Sequence, residues 1–80
     1  MLQQKDEGLI SLIGERVFIK TAYSIYNGLL VDCNSVFATL KDYNIFHIGS
    51  NTIQIGDNED NNNNNIYISC YHIESFKELN

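Results

Sequence analysis

The sequence predicts a mainly β domain, a five-stranded and strongly bent open β-barrel preceded by a short α-helix, and three observations indicate it. The chain has 80 residues, of which 44% are hydrophobic, so it can build one compact core and no second one. β-Branched and aromatic residues alternate with polar ones over residues 15–41 and 66–78, as in strands with one buried face. Gly28 interrupts an apolar run, where a residue without a side chain indicates a bulge or a sharp bend. A strand bent at this glycine can contribute to two faces of a very small barrel.

The short helix is predicted over residues 5–13. Its apolar residues share one face at helical spacing, and they are Leu9, Ile10, Leu12 and Ile13. Acidic residues near the predicted start suit the positive end of the helix dipole, and Gly14 is well placed to end the helix. Because so short a helix is not stable alone, we expect it to lie across the open end of the barrel.

The first two strands are predicted within residues 15–33. The buried face of the first strand is predicted to contain Val17, Ile19 and Thr21. The second strand runs over residues 25–33 and carries Gly28. Asn27-Gly28 is also the commonest signal for a type I′ hairpin turn, which is the alternative to a bend within the strand. We prefer the bend, because a turn here would leave the preceding strand too short to pair well.

The third strand is predicted over residues 36–41, and its buried face is predicted to contain Val36, Ala38 and Leu40. Residues 42–44 interrupt it, and residues 45–55 then form a hairpin that extends from the third strand. Residues 56–65 are acidic and rich in asparagine, which predicts a mobile loop with nothing to bury. Residues 42–65 as a whole are therefore predicted to be an insertion between the third and fourth strands.

The fourth and fifth strands are predicted within residues 66–78. The even-numbered positions are apolar through Cys70, after which the apolar phase changes to Ile73 and Phe76. Since successive side chains of a strand point to opposite faces, this change indicates two short strands joined by a tight turn near Tyr71-His72.

Composition and charge narrow the classes of function. Ten acidic residues face five basic ones, and the formal net charge is −5. The basic residues are scattered, which argues against nucleic-acid binding by a monomer, because such affinity comes mostly from Lys and Arg on phosphates. The argument is weaker for a ring of subunits, because one lysine in each subunit is then repeated around the ring axis. No secretory signal and no membrane-spanning run is apparent, so we expect a soluble intracellular protein with no membrane partner.

Three pieces of the sequence resemble a family. They are Leu9-x-Ser11-Leu12-x-Gly14-x-x-Val17-x-Ile19-x-Thr21, Gly28-x-Leu30-Val31-Asp32, and Ile66-Tyr67-Ile68 followed by Ile73. Together with the order of the predicted elements, these pieces resemble small Sm-like proteins of spore-forming bacteria, a domain family of unknown function with some members labelled spore coat proteins. The resemblance covers residues 9–41 and 66–77. It implies an Sm-like fold with an insertion between the third and fourth strands, and subunits that pair by their edge strands into rings or filaments.

The function predicted first is therefore a non-enzymatic, self-assembling structural or scaffolding protein, and the resemblance implies an association with the spore. Five tyrosines and four phenylalanines outnumber what a small barrel can bury, so some are expected in an interface, where tyrosine is enriched. The homo-oligomer is expected to form through the edges of the fourth and fifth strands. The interface residues predicted are Ile66, Tyr67, Ile68 and Tyr71.

An RNA-binding Sm-like ring is the alternative. Its candidate contact residues are Asn34, Ser35, Lys41, Tyr71 and His72. In Sm proteins an Asp and an Asn follow the second strand, and an Arg-Gly pair lies between the last two strands. Here residues 69–72 occupy the second of these positions and contain neither Arg nor Gly, which argues against the usual contacts to bases and phosphates.

The sequence predicts no catalytic residue, no metal site and no cofactor. A zinc site would have to use Cys33, Cys70, His47 and His72, of which only Cys70 and His72 are close in sequence. We predict two buried thiols and two ordinary histidines instead. Asp57, Glu59 and Asp60 resemble a calcium loop only faintly, and a solvated loop is the preferred interpretation.

Overall fold

The computed structural model describes residues 5–56 and 65–79, and it is mainly β. In chain order the elements are helix α1 (Lys5–Ile10), strands β1 (Arg16–Lys20), β2 (Ser24–Cys33), β3 (Phe37–His47), β4 (Thr52–Gly56) and β5 (Ile66–Ser69), the 3-10 helix η1 (Cys70–His72), and strand β6 (Ser75–Glu78). The predicted hairpin between β3 and β4 and the predicted tight turn before the last strand are both confirmed. The predicted loop over residues 56–65 and the calcium alternative lie almost wholly outside the described residues.

The strands form one open antiparallel sheet of six strands, with β3 at its centre. Along one edge β3 pairs with β2, and along the other edge it pairs with two strands in succession. Its first half, Phe37 to Leu40, pairs with β5, and its second half, Tyr43 to His47, pairs with β4. On the far side of β2 lie β1 and then β6.

The chain between β5 and β6 requires this sheet to curl. β5 pairs with β3 and β6 pairs with β1, so a flat sheet would place β5 and β6 about 19 Å apart. Only residues 70–74 join them, and the residues coiled into η1 advance only about 2 Å each. The link is fixed at both ends, because the Cys70 amide donates to the Val36 carbonyl at 2.9 Å and the Glu74 amide donates to the Lys20 carbonyl at 2.7 Å.

The predicted position of Gly28 within a strand is confirmed and the alternative of a hairpin turn is wrong, since this glycine lies inside β2. The register of β2 against β3 shifts here, because two residues of β3, Asp42 and Tyr43, lie opposite the one glycine. Asp42 has a left-handed backbone, with φ of 51°. The predicted interruption at residues 42–44 is therefore wrong, because Asp42 and Tyr43 form a bulge and Asn44 is regularly paired within one continuous strand. A second shift places the extra residue on β2, at Val31.

The helix is shorter than predicted. α1 ends at Ile10, and residues 11–13 continue as a turn in which each amide donates to the carbonyl three residues earlier. Gly14 ends this turn with a φ of +99°, as expected for a stop residue. Leu9 is fully buried and Leu12 packs against the core, whereas Ile10 and Ile13 are exposed. The four apolar residues therefore do not share one buried face, because the path tightens after Ile10.

The core lies on the concave side of the sheet. Its fully buried residues are Leu9, Val17, Ile19, Leu30, Ala38 and Leu40, and Ile73 is almost fully buried. The predicted inner face of β1 is confirmed by the burial of Val17, Ile19 and Thr21. Val36 was expected on an inner face, but it lies in the turn before β3 and is exposed. Across the described ranges, no helix is long and apolar enough to cross a bilayer.

Candidate aromatic groove

A groove of about 680 Å³ lies between the β1–β2 turn and η1. Its rings come from Tyr23, Tyr26, Phe37, Tyr67, Tyr71 and His72, and we call this surface the aromatic groove. The buried residues Ile68 and Ile73 also line it, so the hydrophobic core forms its floor. These rings are contributed by the β1–β2 turn, three strands and η1.

A tight turn from Thr21 to Ser24 positions Tyr23. The Thr21 amide donates to the Ser24 carbonyl at 2.9 Å, and the Ser24 amide donates to Thr21 Oγ1 at 3.3 Å. Both turn-closing residues are buried, so they hold the turn rigidly against the sheet. Tyr23 lies at the tip, where 80% of it is exposed on one side of the groove.

The paired strands β3 and β5 position Phe37 and Tyr67. Phe37 lies opposite Ser69, and Tyr67 lies opposite Thr39, so the two rings are diagonal neighbours on one face. They make an edge-to-face contact, with centroids 6.1 Å apart and ring planes at 77°. This contact fixes both rings although each remains exposed to solvent.

The 3-10 helix η1 positions Tyr71 and His72. Ser69 caps the helix, because its Oγ accepts a hydrogen bond from the Tyr71 amide at 3.3 Å. Cys70 and Ile73 on either side are buried and anchor the turn. The two residues between them therefore point outward, and Tyr71 is 89% exposed with its ring centroid 6.1 Å from that of His72.

The electrostatics of the aromatic groove are those of a neutral to acidic surface. Among the residues that the structure describes, Glu74 is the one carboxylate in its lining, and neither Lys nor Arg lines it. Glu74 Oε1 accepts from Lys20 Nζ at 2.9 Å, and both side chains are about half exposed. Such an exposed ion pair contributes about 0–1 kcal/mol to stability, so its main effect here is to hold Glu74 at the rim.

The groove brings together Tyr67, Tyr71 and His72 from the residues that the sequence predicted for contacts. Ile68 lies on the same strand and is buried, with its exposed part at the floor of the groove, and its part in an interface stays a prediction. Ile66 is partly buried and packs against the core, and it does not line the groove.

The other residues of the RNA alternative lie elsewhere. Asn34 Oδ1 accepts hydrogen bonds from the Val36 amide at 2.7 Å and the Phe37 amide at 2.9 Å, so this side chain shapes the β2–β3 turn. Ser35 is exposed in that turn, and Lys41 is exposed on β3. None of the three lines the groove.

Sequence reasoning missed Tyr23, Tyr26 and Phe37. The surplus of aromatic residues indicated that some rings would be exposed, but it did not indicate that they would converge. The available signal was the segment from Thr21 to Ser24, a turn whose tip is a tyrosine. Convergence depends on η1 lying beside this turn, which is a property of the sheet's curl and not of local sequence.

The cysteines and histidines do not form a metal centre in the part of the chain that the structure describes, where no group of three or more possible ligands is found. Cys33 and Cys70 are buried, as predicted, and their thiols lie 3.8 Å and 3.4 Å from the Asn34 carbonyl oxygen. His47 Nε2 lies 3.0 Å from Gln54 Oε1 across the β3–β4 hairpin, away from both thiols.

Comparison with models of known protein families finds no match. A search of curated proteins likewise finds none that matches this chain.

Proposed function

We propose that this chain is a non-enzymatic, self-assembling structural protein with an Sm-like barrel fold. The fold assignment is supported by the order β6-β1-β2-β3-β5, by the N-terminal helix, and by the 3-10 turn between β5 and β6. In this interpretation β4 and the second half of β3 are an insertion that projects from the barrel. A place in the spore coat rests on the sequence resemblance alone.

The observation that carries the proposal is the number of unpaired strand edges. Among the described residues β4, β5 and β6 each pair with one strand only. An exposed edge offers unpaired backbone amides and carbonyls to another chain, and natural proteins usually protect it with charged residues or proline. β6 has Lys77 and Glu78, whereas β4 and β5 contain no charged residue and no proline.

β4 is the edge best suited to a second copy of the chain, although it lies in the predicted hairpin and not in the predicted interface of residues 66–71. Ile53 and Ile55 project on the same side of the strand, and each is 68% exposed. Full burial of an isoleucine stabilises by about 1.5–3 kcal/mol, so covering the exposed two-thirds of these two side chains on each of two subunits contributes about 4–8 kcal/mol. Loss of translational and rotational freedom costs about 4–15 kcal/mol, and backbone hydrogen bonds contribute about 1 kcal/mol each. The balance predicts weak association that depends strongly on protein concentration.

Sedimentation velocity tests the proposal from low to high micromolar protein. We expect the wild type to associate as concentration rises, and the double variant Ile53→Lys, Ile55→Lys to remain monomeric. The matched control is Ile10→Lys, Ile13→Lys, which places the same charges on isoleucines that are 44% and 42% exposed but not on a strand edge.

The control is expected to associate like the wild type. A wild type that stays monomeric at high micromolar concentration would remove the basis of the proposal. Equal loss of association in both double variants would instead show that net charge, not the β4 edge, governs assembly. Raised salt should leave the wild-type assembly intact, because its contacts are apolar and backbone–backbone.

The RNA-binding ring has less support. The Asn34 side chain is engaged in its own turn, and the candidate residues other than Tyr71 and His72 do not approach the aromatic groove. The ratio of absorbance by bases to absorbance by aromatic residues in the purified protein tests this alternative directly. Copurifying nucleic acid that is released by salt would favour it.

A further inference from the structure

The exposed aromatic residues are not scattered over the surface. In the described chain the exposed tyrosine and phenylalanine side chains are Tyr23, Phe37, Tyr67 and Tyr71, and all of them line the aromatic groove. The remaining described tyrosines and phenylalanines are at least partly buried, and among these Tyr26 also lines the groove. A domain of this size has little apolar surface to spare, so four solvated rings around one concavity indicate a contact surface.

The aromatic groove contains four tyrosine hydroxyls, each of which can donate a hydrogen bond to a ligand. Tyr23, Tyr26, Tyr67 and Tyr71 each carry a phenolic hydroxyl, and none of these contacts a hydrogen-bond partner within the described ranges. Together with the ring faces, they form an apolar surface that carries several donors. A complementary ligand has acceptors within reach of these hydroxyls and flat apolar groups that stack on tyrosine.

We propose that the aromatic groove binds an extended, proline-rich segment of another protein. Proline has no backbone N–H, so such a segment is poor in donors while its carbonyl groups remain free to accept from the tyrosine hydroxyls. In the polyproline II conformation it has no internal hydrogen bonds, and it docks on aromatic-lined grooves with little loss of conformational entropy. These 80 residues contain no proline, so none of them can supply the segment.

The charges at the rim select among possible partners. Glu74 contacts Lys20 through Oε1, and its other carboxylate oxygen has no contact within hydrogen-bonding distance in the described residues. A basic residue in the bound segment can pair with this oxygen. A single-stranded nucleic acid could stack on the same rings, but within the described ranges no Lys or Arg lines the groove to neutralise its phosphates. The proposal is independent of self-assembly, which we assign to the β4 edge.

Fluorescence anisotropy with defined probes tests the proposal. The main probe is a fluorescein-labelled peptide that repeats the sequence Pro-Pro-Leu-Pro-Pro-Arg twice. The second probe has alanine at every proline and keeps the Leu and Arg residues. The third is a labelled oligouridine of matched length. Each titration is made with the wild type and with the Ile53→Lys, Ile55→Lys variant, so that a failure of assembly and a failure of peptide binding can be distinguished.

Tyr71→Ala and Tyr23→Ala are the informative variants, because both side chains are solvent-exposed and their loss should not affect folding. We expect each to weaken binding of the proline probe by at least about tenfold, as for an aromatic hot spot. Tyr71→Phe keeps the ring and loses the hydroxyl, so it should weaken binding by about threefold. Ile48→Ala removes an exposed apolar side chain outside the groove and should leave binding unchanged.

Binding of the proline probe alone, with this order of variants, supports the proposal. Three results would overturn it: no binding of the proline probe at millimolar peptide, equal binding of the proline and alanine probes, or tighter binding of oligouridine than of either peptide. Equal effects of Tyr71→Ala and Ile48→Ala would also overturn it, because the binding site would then lie elsewhere.

Discussion

Replacing Gly28 with alanine adds one methyl group at the point where β2 meets the β3 bulge. A Cβ atom there would lie 2.9 Å from Tyr43 Cβ, 3.1 Å from the Lys41 carbonyl oxygen and 3.2 Å from Tyr43 Cα. These are backbone atoms and a Cβ, which cannot move aside by rotation of a side chain. The methyl group therefore requires the two strands to separate, and the bulge that curves the sheet would have to change.

The expected loss of stability follows from two opposing effects. Forcing extra atoms into a packed site costs about 1–3 kcal/mol. Alanine restricts the unfolded chain more than glycine does, which returns about 0.4–1 kcal/mol. We take the upper part of the first range because the contacts are with backbone, and expect a net loss of about 2 kcal/mol. For a domain of this size such a loss lowers Tm by about 8–16 °C.

Urea and thermal unfolding, followed by far-ultraviolet circular dichroism, measure this loss. Gly49→Ala is the matched control, since a Cβ at Gly49 would meet nothing within 4 Å and its φ is not left-handed. The control should be neutral or slightly stabilising, by up to about 1 kcal/mol. If Gly28→Ala and Gly49→Ala had the same free energy of unfolding, the close approach of β2 and β3 would not be the reason that position 28 requires glycine.

Two further substitutions test the turn and the bulge by the same unfolding measurements. Asn34→Ala removes the acceptor for the amides of Val36 and Phe37, and it should lower the free energy of unfolding by about 1–2 kcal/mol, whereas Ser35→Ala should change it little. Asp42→Val places a β-branched residue at a φ of 51° and should cost about 1–2 kcal/mol. Asp42→Asn should stay within about 0.5 kcal/mol of the wild type, because asparagine tolerates this conformation, and an equal loss in both variants would contradict the explanation.

The elements that the sequence predicted well are those set by local chemistry. The alternation of apolar and polar residues predicted the inner face of β1, because a strand with one buried face has a side-chain period of two. The residue types of Gly49 to Asn51 predicted the hairpin turn. Asn51 has a φ of 60° there, a conformation that asparagine adopts more easily than most residues. The change of apolar phase after Cys70 gave the 3-10 turn.

The parts that could not be predicted depend on two strands meeting. Residues 42–44 contain an Asp and an Asn, which favour turns, so they were interpreted as an interruption. Pairing with β2 on one side and β4 on the other absorbs them as a bulge in one strand. The sequence pattern around Ile68 fits either an exposed residue of an edge strand or a core residue. Only the curl of β5 over the core places this side chain in the interior.

The distribution of apolar side chains links the fold to the two proposals. A domain this small buries only about 60% of the surface of its unfolded chain, so each apolar residue left outside lowers an already small stability. Two isoleucines on an uncharged strand edge and four aromatic rings around one groove are therefore costly to keep. The two surfaces also differ in chemistry, because β4 offers a backbone edge with aliphatic side chains and the groove offers rings with hydroxyl donors. Surfaces of such different chemistry suit different partners, which is why we assign one to a second copy of the chain and the other to a foreign polypeptide.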